Sequence, residues 1–328
     1  MAAEALAALV RLNIVASVAI ALVFLLRPAV RRSFGAHKAY ALWLIVPLTL
    51  ATAGAPIPLL EASGPVGPLE AAEGRAEAWL STEMHSQALA AVWALGLFVG
   101  LGLVAWRYTR FLAQDRAGLA GPAIFGVFMP RLVTPADFAV RFTPEERRLV
   151  RAHERAHMDR LDARWNALAL ALQVLNWFNP LVHIAARAMR FDQELACDAT
   201  VMERFPAERR RYAETLLRCQ ETIVSPLGCG WTGVAARPLA TRLTVLMQPR
   251  PGEARHSLGD FLLATLLTAT LAAACGAQPP YRLPEAVANR DRVVETWSWP
   301  TWDEPPVDLR SQPWGGASPE APATRDPA

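Results

Sequence analysis

Residues 147–157 have the sequence RRLVRAHERAH, in which His153 and His157 are four positions apart and Glu154 directly follows the first histidine. The preceding residues 143–146, TPEE, are typical of a helix N-terminus: a capping threonine, a proline at the first helical position and a glutamate three residues after the cap. Side chains four apart lie on one face of a helix. The stretch therefore predicts a capped helix that presents both imidazoles to the same side.

Two imidazoles in this arrangement can bind one zinc ion per chain. Glu154, next to the first of them, is placed to take a proton from an attacking water and pass it to a leaving amine. The alternative is an exposed helix with two incidental histidines. A third metal ligand elsewhere in the chain would favour the zinc site.

Glu194 and Asp198 supply that candidate, in residues 191–198 with the sequence FDQELACD. They are again four positions apart, so one helix face carries both carboxylates. We expect Glu194 to complete the zinc site and Asp198 to hydrogen-bond a histidine ligand from behind. An ordinary charged helix face is the alternative, and beside the H-E-x-x-H motif it is the weaker one.

The composition, 53% hydrophobic and 19% charged, is typical of a membrane protein rather than a soluble domain. Four stretches are long and apolar enough to cross a bilayer. They are residues 6–26, 40–60, 89–106 and 261–277. The net charge of +3 is too small to predict direct nucleic-acid binding, and the four cysteines form no C-x-x-C pair that would indicate a cysteine zinc site.

Basic residues collect in three clusters, around 27–38, 107–116 and 242–255, whereas the connection near 61–86 is acidic. The positive-inside rule then places both termini outside the cell and the clusters in the cytoplasm. We expect residues 1–106 to hold three spans, 107–257 a cytoplasmic peptidase domain and 258–277 the fourth span of a multi-pass protein of the cytoplasmic (inner) membrane. The Trp- and Pro-rich residues 278–328 are expected to be an extracytoplasmic, disordered tail.

Residues 165–189 are apolar enough to suggest a further span, but a crossing there would separate Glu194 from His157. The break at residues 176–180, NWFNP, leaves neither half long enough to cross a bilayer. We therefore expect two helices joined at Asn179-Pro180, either packed in the domain core or lying against the membrane.

The residues that surround the two histidines resemble the BlaR/MecR antirepressor membrane metallopeptidases. The resemblance covers much of residues 107–257, and it is carried by Phe125-Gly126, PRLVTP at 130–135, HMDRLD at 157–162, Trp165-Asn166, WFNPLV at 177–182 and ELACD at 194–198. It implies a mainly α fold, with four transmembrane helices and a cytoplasmic helical zincin domain of the gluzincin type that includes a small β element.

The resemblance further implies zinc on His153, His157 and Glu194, with Glu154 catalytic, in a signal transducer that cleaves itself or causes the loss of a winged-helix repressor. Members that sense β-lactams are acylated at a serine of a Ser-x-x-Lys motif after the fourth span. Lys38 is the only lysine of this chain, so we expect no such acylation here.

Two other interpretations stay open. One is a housekeeping membrane protease resembling the HtpX group, which also combines H-E-x-x-H with a downstream glutamate; the order of spans and the WFNP motif favour the regulatory reading. The other is a non-catalytic signalling scaffold, against which the intact Glu154 argues. The partners expected are the lipid bilayer, an intracellular protein substrate and, as an open alternative to the monomer, a second copy of the chain.

Overall fold

The computed structural model describes residues 2–54, 83–219, 229–230, 236–247 and 252–276. The predictions for most of the acidic connection near 61–86 and for the tail 278–328 lie outside the described residues.

Helices make up most of the described chain, as predicted. They are α1 (Ala2–Phe34), α2 (Ala36–Ala41), α3 (Ile45–Gly54), α4 (Glu83–Arg116), α5 (Phe138–Arg141), α6 (Pro144–Asp159), α7 (Asp162–Leu175), α8 (Pro180–Arg204), α9 (Arg209–Arg218), α10 (Ala236–Met247) and α11 (Glu253–Gly276). Single 3₁₀ turns occur at Leu42–Leu44 and Pro206–Glu208, and the strands are β1 (Ala123–Phe125), β2 (Arg131–Val133) and β3 (Cys229–Gly230).

Three helices among the described residues are long and apolar enough to cross a membrane: Ala5–Phe34 of α1, His85–Arg116 of α4 and Ala254–Cys275 of α11. They match the first, third and fourth expected spans, and the chain is a multi-pass membrane protein. All three helices extend past the predicted boundaries at one end or both. The second expected span, 40–60, is helical as far as Gly54, where its description ends.

Helices α7 and α8 form a hairpin whose tip lies among the spanning helices. The Asn13 amide of α1 donates to Asn176 Oδ1 at 2.5 Å, and Asn179 Nδ2 donates to Asn13 Oδ1 at 2.6 Å and to Ser17 Oγ at 3.0 Å. Asn13 precedes Phe34, the end of α1, by 21 residues, which is about 30 Å along a helix axis. The hairpin tip therefore reaches far along α1.

The other side of the tip contacts α4. Trp93 Nε1 donates to the Leu175 carbonyl at 3.0 Å, and Trp177 Nε1 donates to the Trp93 carbonyl at 3.3 Å. A Cβ added at Gly96 would lie 2.1 Å from Trp177 Cε2, so the indole needs the bare glycine to approach α4 this closely.

This hairpin differs from both arrangements expected for residues 165–189. It neither lies flat on the membrane nor packs only in the domain core, because its tip inserts between α1 and α4. A non-helical turn is tolerated at that position because Asn13 and the two tryptophans satisfy its polar groups. Helix α8 then runs back, so Glu194 lies on the same side as His157, as predicted.

The strands form a small antiparallel sheet in the order β2-β1-β3, with Ala123 opposite Val133 on one side and Gly230 on the other. Phe125 stacks on Phe111 of α4, with ring centroids 5.0 Å apart, and this contact joins the sheet to the end of α4. Gly126 follows at φ +104°, and a Cβ there would lie 2.6 Å from the Met129 carbonyl oxygen. The turn between β1 and β2 therefore requires a glycine.

The core that supports α6 is formed with α8 and α9. Leu149 and Val150 of α6 pack against Val201 of α8 and against Tyr212 and Leu216 of α9, and all five are buried. This packing fixes the face of α6 that carries the two histidines.

Candidate metal centre

The predicted start of the histidine helix is confirmed. Thr143 Oγ1 accepts from the Glu146 amide at 3.3 Å, and the Thr143 amide donates to Glu146 Oε2 at 2.9 Å. Such a reciprocal capping box satisfies two backbone donors that a helix N-terminus otherwise leaves open. The helix then runs from Pro144 to Asp159.

The structure brings His153, His157 and Glu194 together. The two histidine Nε2 atoms are 3.2 Å apart. Glu194 Oε2 lies 3.4 Å from Nε2 of His153, and Glu194 Oε1 lies 3.6 Å from Nε2 of His157. His153 is 0% exposed, and Glu154 and His157 are 1% exposed, so the group is enclosed by protein.

These separations fit a zinc ion. Tetrahedral ligands at roughly 2.0–2.1 Å from zinc are about 3.3 Å from one another. The three measured separations, 3.2, 3.4 and 3.6 Å, are close to that edge length. Three protein ligands would leave a fourth position for water or substrate, which is the pattern of catalytic zinc sites.

The Nδ1 atom of His157 is held by Asp162. Asp162 Oδ2 lies 2.7 Å from His157 Nδ1, and Arg160 Nη2 donates to the same oxygen at 2.6 Å. The Tyr40 hydroxyl donates to Asp162 Oδ1 at 2.9 Å. A carboxylate in this position accepts the Nδ1 proton and leaves Nε2 for a metal.

The Nδ1 atom of His153 is held by Tyr212. The Tyr212 oxygen lies 2.8 Å from His153 Nδ1, and its hydroxyl donates to Asp198 Oδ1 at 2.7 Å. Since that hydroxyl proton goes to Asp198, the His153 N–H donates to the tyrosine oxygen. Asp198 itself is 3.4 Å from His153 Nδ1, so it acts on the histidine mainly through Tyr212 rather than by the direct bond expected from the sequence.

Arg242 of α10 joins the two carboxylates of α8. Its Nε and Nη2 donate to Asp198 Oδ2 and Oδ1 at 2.8 and 2.7 Å, and its Nη1 lies 3.0 Å from Glu194 Oε2. All three side chains are largely withdrawn from solvent. The guanidinium offsets part of the charge of two carboxylates that would be costly to bury alone.

The charges shift the proton affinities of the group in opposite directions. Burial lowers the pKa of His157, and the bond to Asp162 only partly offsets this. Burial also acts against protonation of His153, but the adjacent Asp198 and Glu194 outweigh it and raise the pKa of that imidazole to about 9. Burial would raise the pKa of both carboxyls, yet Arg242 holds the pKa of Glu194 below, and that of Asp198 well below, the ordinary value.

Cys197 is a second candidate for the third ligand. Its sulfur and a nitrogen of each histidine lie within 4.8 Å of one another. That sulfur, however, accepts from Arg160 Nη2 at 2.8 Å and lies 4.0 Å from Asp162 Oδ2, on the side that supports His157 Nδ1. Glu194 contacts the Nε2 atoms of both histidines and is therefore the better third ligand.

Several polar residues of this centre, among them Asp162, Tyr212 and Arg242, were not assigned a role from the sequence. Asp162 does lie in the HMDRLD motif, five residues after His157, and this spacing is a usable signal. Tyr212 and Arg242 come from α9 and α10, where no spacing relates them to the histidines. Only the packing of those helices against α8 reveals them.

The comparisons with known proteins agree with this arrangement. The sequence profile of the family described as BlaR1 peptidase M56 matches residues 7–114 and 113–246, well over half of the 328 residues. The regulatory protein BlaR1 of Bacillus licheniformis is 30% identical over 101 residues, which is 30% of this chain and 17% of that protein.

The methicillin resistance mecR1 proteins of Staphylococcus aureus and Staphylococcus epidermidis are each 28% identical over 104 residues, or 31% of this chain and 18% of theirs. The aligned part thus covers less than a fifth of the length of these relatives. The family match extends from the first spanning helix to α10, across the whole metal centre. The chain belongs to the BlaR1 peptidase M56 family.

Proposed function

We propose that the chain is a membrane-embedded, zinc-dependent endopeptidase with one zinc ion held by His153, His157 and Glu194. The observation that carries this proposal is the convergence of two imidazole Nε2 atoms and one carboxylate within 3.2–3.6 Å. Each of those imidazoles also has its Nδ1 bonded to a buried oxygen, which is typical of metal-binding histidines.

Glu154 is the proposed general base. It follows His153 on α6, is buried, and would take the proton of the attacking water and deliver it to the leaving amine. A bound zinc ion would polarise the peptide carbonyl and make the water more acidic. Asp162 and Tyr212 hold the rings so that both Nε2 atoms face the site, and Asp198 fixes the orientation of Tyr212.

We further propose the topology expected from the charge pattern. Residues 107–257 form a cytoplasmic zincin domain between the third and fourth of four spans, and both termini are outside the cytoplasmic membrane. The return of α8 after its inserted tip supports this placement, since both halves of the metal centre then need no further crossing.

The proposed role is signal transduction, in which the peptidase cleaves itself or inactivates a transcriptional repressor. The names of the relatives, a regulatory protein and methicillin resistance proteins, support a regulatory role. The burial of both histidines and of Glu154 also supports it, because a buried site needs control over substrate access. The proposed substrate is an intracellular protein, such as a winged-helix repressor, and the chain itself does not bind nucleic acid. A homodimer is an alternative to the monomer as the active form.

The test incubates the purified, zinc-loaded protein alone and with a winged-helix repressor from its own organism, and follows cleavage of both proteins by intact mass measurement. We expect Glu154→Gln to retain zinc and to lose cleavage by at least about a hundredfold. Glu145→Gln, at the exposed start of the same helix, is the matched control and should cleave normally.

Two outcomes would contradict the proposal. Unchanged cleavage by Glu154→Gln would mean that this glutamate is not the base and would favour the scaffold reading. Efficient, Glu154-dependent cleavage of unfolded casein with no cleavage of the repressor or of the chain itself would favour the housekeeping protease.

A further inference from the structure

A cavity of about 460 Å³ lies among α1, α3, α7, α8 and α11, apart from the three metal-binding side chains. Most of its lining is apolar, with side chains such as Ile20, Leu172, Val182, Met189 and Leu263. A cavity of this volume with a mostly apolar lining is typical of sites that bind organic ligands.

Charged side chains occur at one end of this cavity. Lys38, Arg160 and Asp260 line it, so two positive charges face one negative charge. Lys38 forms an ion pair with Asp260, and Arg160 forms one with Asp162. The Lys38 side chain is only 9% exposed, although its partner Asp260 is 57% exposed, so this end of the cavity opens towards the surface.

The charged and apolar parts are separated along the helices. Ile20 precedes the end of α1 at Phe34 by 14 residues, about 20 Å along the axis, and Lys38 follows that end directly on α2. Asp260 likewise lies nearer the start of α11 than Leu263. The cavity is therefore amphiphilic, with an apolar body among spanning helices and a charged mouth where Lys38 and Arg160 each pair with a carboxylate.

We propose that this cavity binds one anionic phospholipid, with its phosphate at Lys38 and Arg160 and an acyl chain along the apolar lining. Two spanning helices, α1 and α11, form the walls, so membrane lipid is the ligand at the highest local concentration. Basic pockets between spanning helices are recognised sites for anionic head groups. The apolar body excludes a free phosphate ion as the natural occupant, and the buried lysine excludes a purely hydrocarbon one.

The site adjoins the metal centre without including the proposed metal ligands. Tyr40 and Arg160 line the cavity and both bond to Asp162, whose other contact is His157 Nδ1. Among the described residues, Lys38 pairs with Asp260 and does not contact Asp162 or His157. A substitution at Lys38 therefore removes a cavity charge without removing a contact of the metal centre. Loss of lipid and loss of zinc can then be measured separately on the same variant.

The experiment is native mass spectrometry of the full chain, delipidated in mild detergent and then titrated with phosphatidylglycerol or phosphatidylcholine. We expect one phosphatidylglycerol to stay bound to the wild type under conditions that strip phosphatidylcholine. Lys38→Gln should weaken phosphatidylglycerol binding about fivefold, as expected for the loss of one basic residue near an anionic head group. Millimolar inorganic phosphate should not displace the lipid.

Substitutions that fill the cavity provide a second, independent test of lipid binding. Ala169→Phe places a ring in the apolar body and should abolish binding of both lipids, whereas Ala264→Phe, on the exposed face of α11, should leave binding unchanged. Leu168→Trp also narrows the cavity at a half-exposed position and is used if Ala169→Phe does not fold. Zinc content and thermal unfolding are recorded for every variant.

Equal retention of the two lipids by the wild type, or no retention of either, would overturn the proposal. It would also be overturned if Ala264→Phe lost lipid as readily as the cavity variants, if phosphate displaced the lipid, or if a peptide or a second copy of the chain occupied the site instead. Zinc that stays bound to Lys38→Gln while lipid is lost would show that the two sites are separate.

Discussion

Each histidine of the metal centre has a different partner behind it. Asp162 accepts from His157, whereas His153 donates to Tyr212, whose own hydroxyl proton goes to Asp198. Both arrangements place the proton on Nδ1 and leave Nε2 for the metal. Arg242 pairs with both carboxylates of α8 and offsets part of their negative charge before any ion binds.

Arg242 should therefore be required for folding stability. Arg242→Met would leave Asp198 and Glu194 buried without their cation, and we expect the free energy of unfolding in detergent to fall by about 3–5 kcal/mol. Arg242→Lys should recover part of this loss. Arg210→Met removes an exposed arginine with a single neighbour in its own helix and serves as the control. Equal unfolding curves for Arg242→Met and Arg210→Met would refute the assigned role.

Zinc binding should release about one proton at pH 7. Asp198 and Glu194 raise the pKa of His153 to about 9, so this imidazole is protonated in the metal-free protein and must lose its proton to bind zinc. Burial lowers the pKa of His157, which is therefore neutral already. The apparent zinc affinity should rise about tenfold per pH unit between pH 6 and 8. Calorimetry in buffers of different ionisation enthalpy measures the release, and an affinity independent of pH over that range would contradict it.

The proposed metal ligands could be picked out in the sequence because they follow helical spacing. His153 with His157, and Glu194 with Asp198, are each one turn apart on a single helix. Tyr212 and Arg242 reach the same point from helices that are distant in sequence, and only tertiary packing brings them there. For that reason the sequence predicted a direct hydrogen bond between Asp198 and a histidine, whereas in the structure Tyr212 lies between them.

At the scale of elements, the α7–α8 hairpin connects the metal centre to the spanning helices. Its tip is fixed by asparagine contacts with α1 and by tryptophan contacts with α4, while its other end carries Asp162 on α7 and Glu194 on α8. The hairpin is therefore a continuous packed connection between α1 and α4 at one end and residues of the centre at the other. The break at residues 176–180 could be predicted from the sequence. The contacts that hold it between α1 and α4 could not, because those contacts depend on single residues of other helices.

Gly96 provides a test of that insertion. Gly96→Ala would place a methyl group 2.1 Å from the Trp177 ring and should destabilise the protein by about 1–3 kcal/mol. Gly102→Ala, on the same helix, has nothing within 4 Å of the added Cβ and should be neutral or slightly stabilising. Thermal unfolding in detergent compares them, and equal melting temperatures would show that the hairpin tip does not pack on α4.

At the scale of the whole molecule, the charge pattern predicts that the peptidase domain lies in the cytoplasm. Single cysteines in a cysteine-free background test this with a membrane-impermeant maleimide. Gln87→Cys, exposed near the start of α4, should be labelled on intact cells, whereas Val140→Cys, which is 90% exposed between β2 and α6, should be labelled only after the membrane is permeabilised. The reverse labelling would invert the topology and place the metal centre outside.

The central claim is that His153, His157 and Glu194 hold zinc, and X-ray absorption at the zinc edge of the purified protein tests it most directly. We expect about one zinc ion per chain with only nitrogen and oxygen neighbours at about 2.0–2.1 Å. The spectrum should be unchanged by Cys197→Ser, and His157→Ala should lose the metal. A sulfur neighbour at about 2.3 Å would identify Cys197 as a ligand, and full zinc retention by His157→Ala would contradict the account altogether.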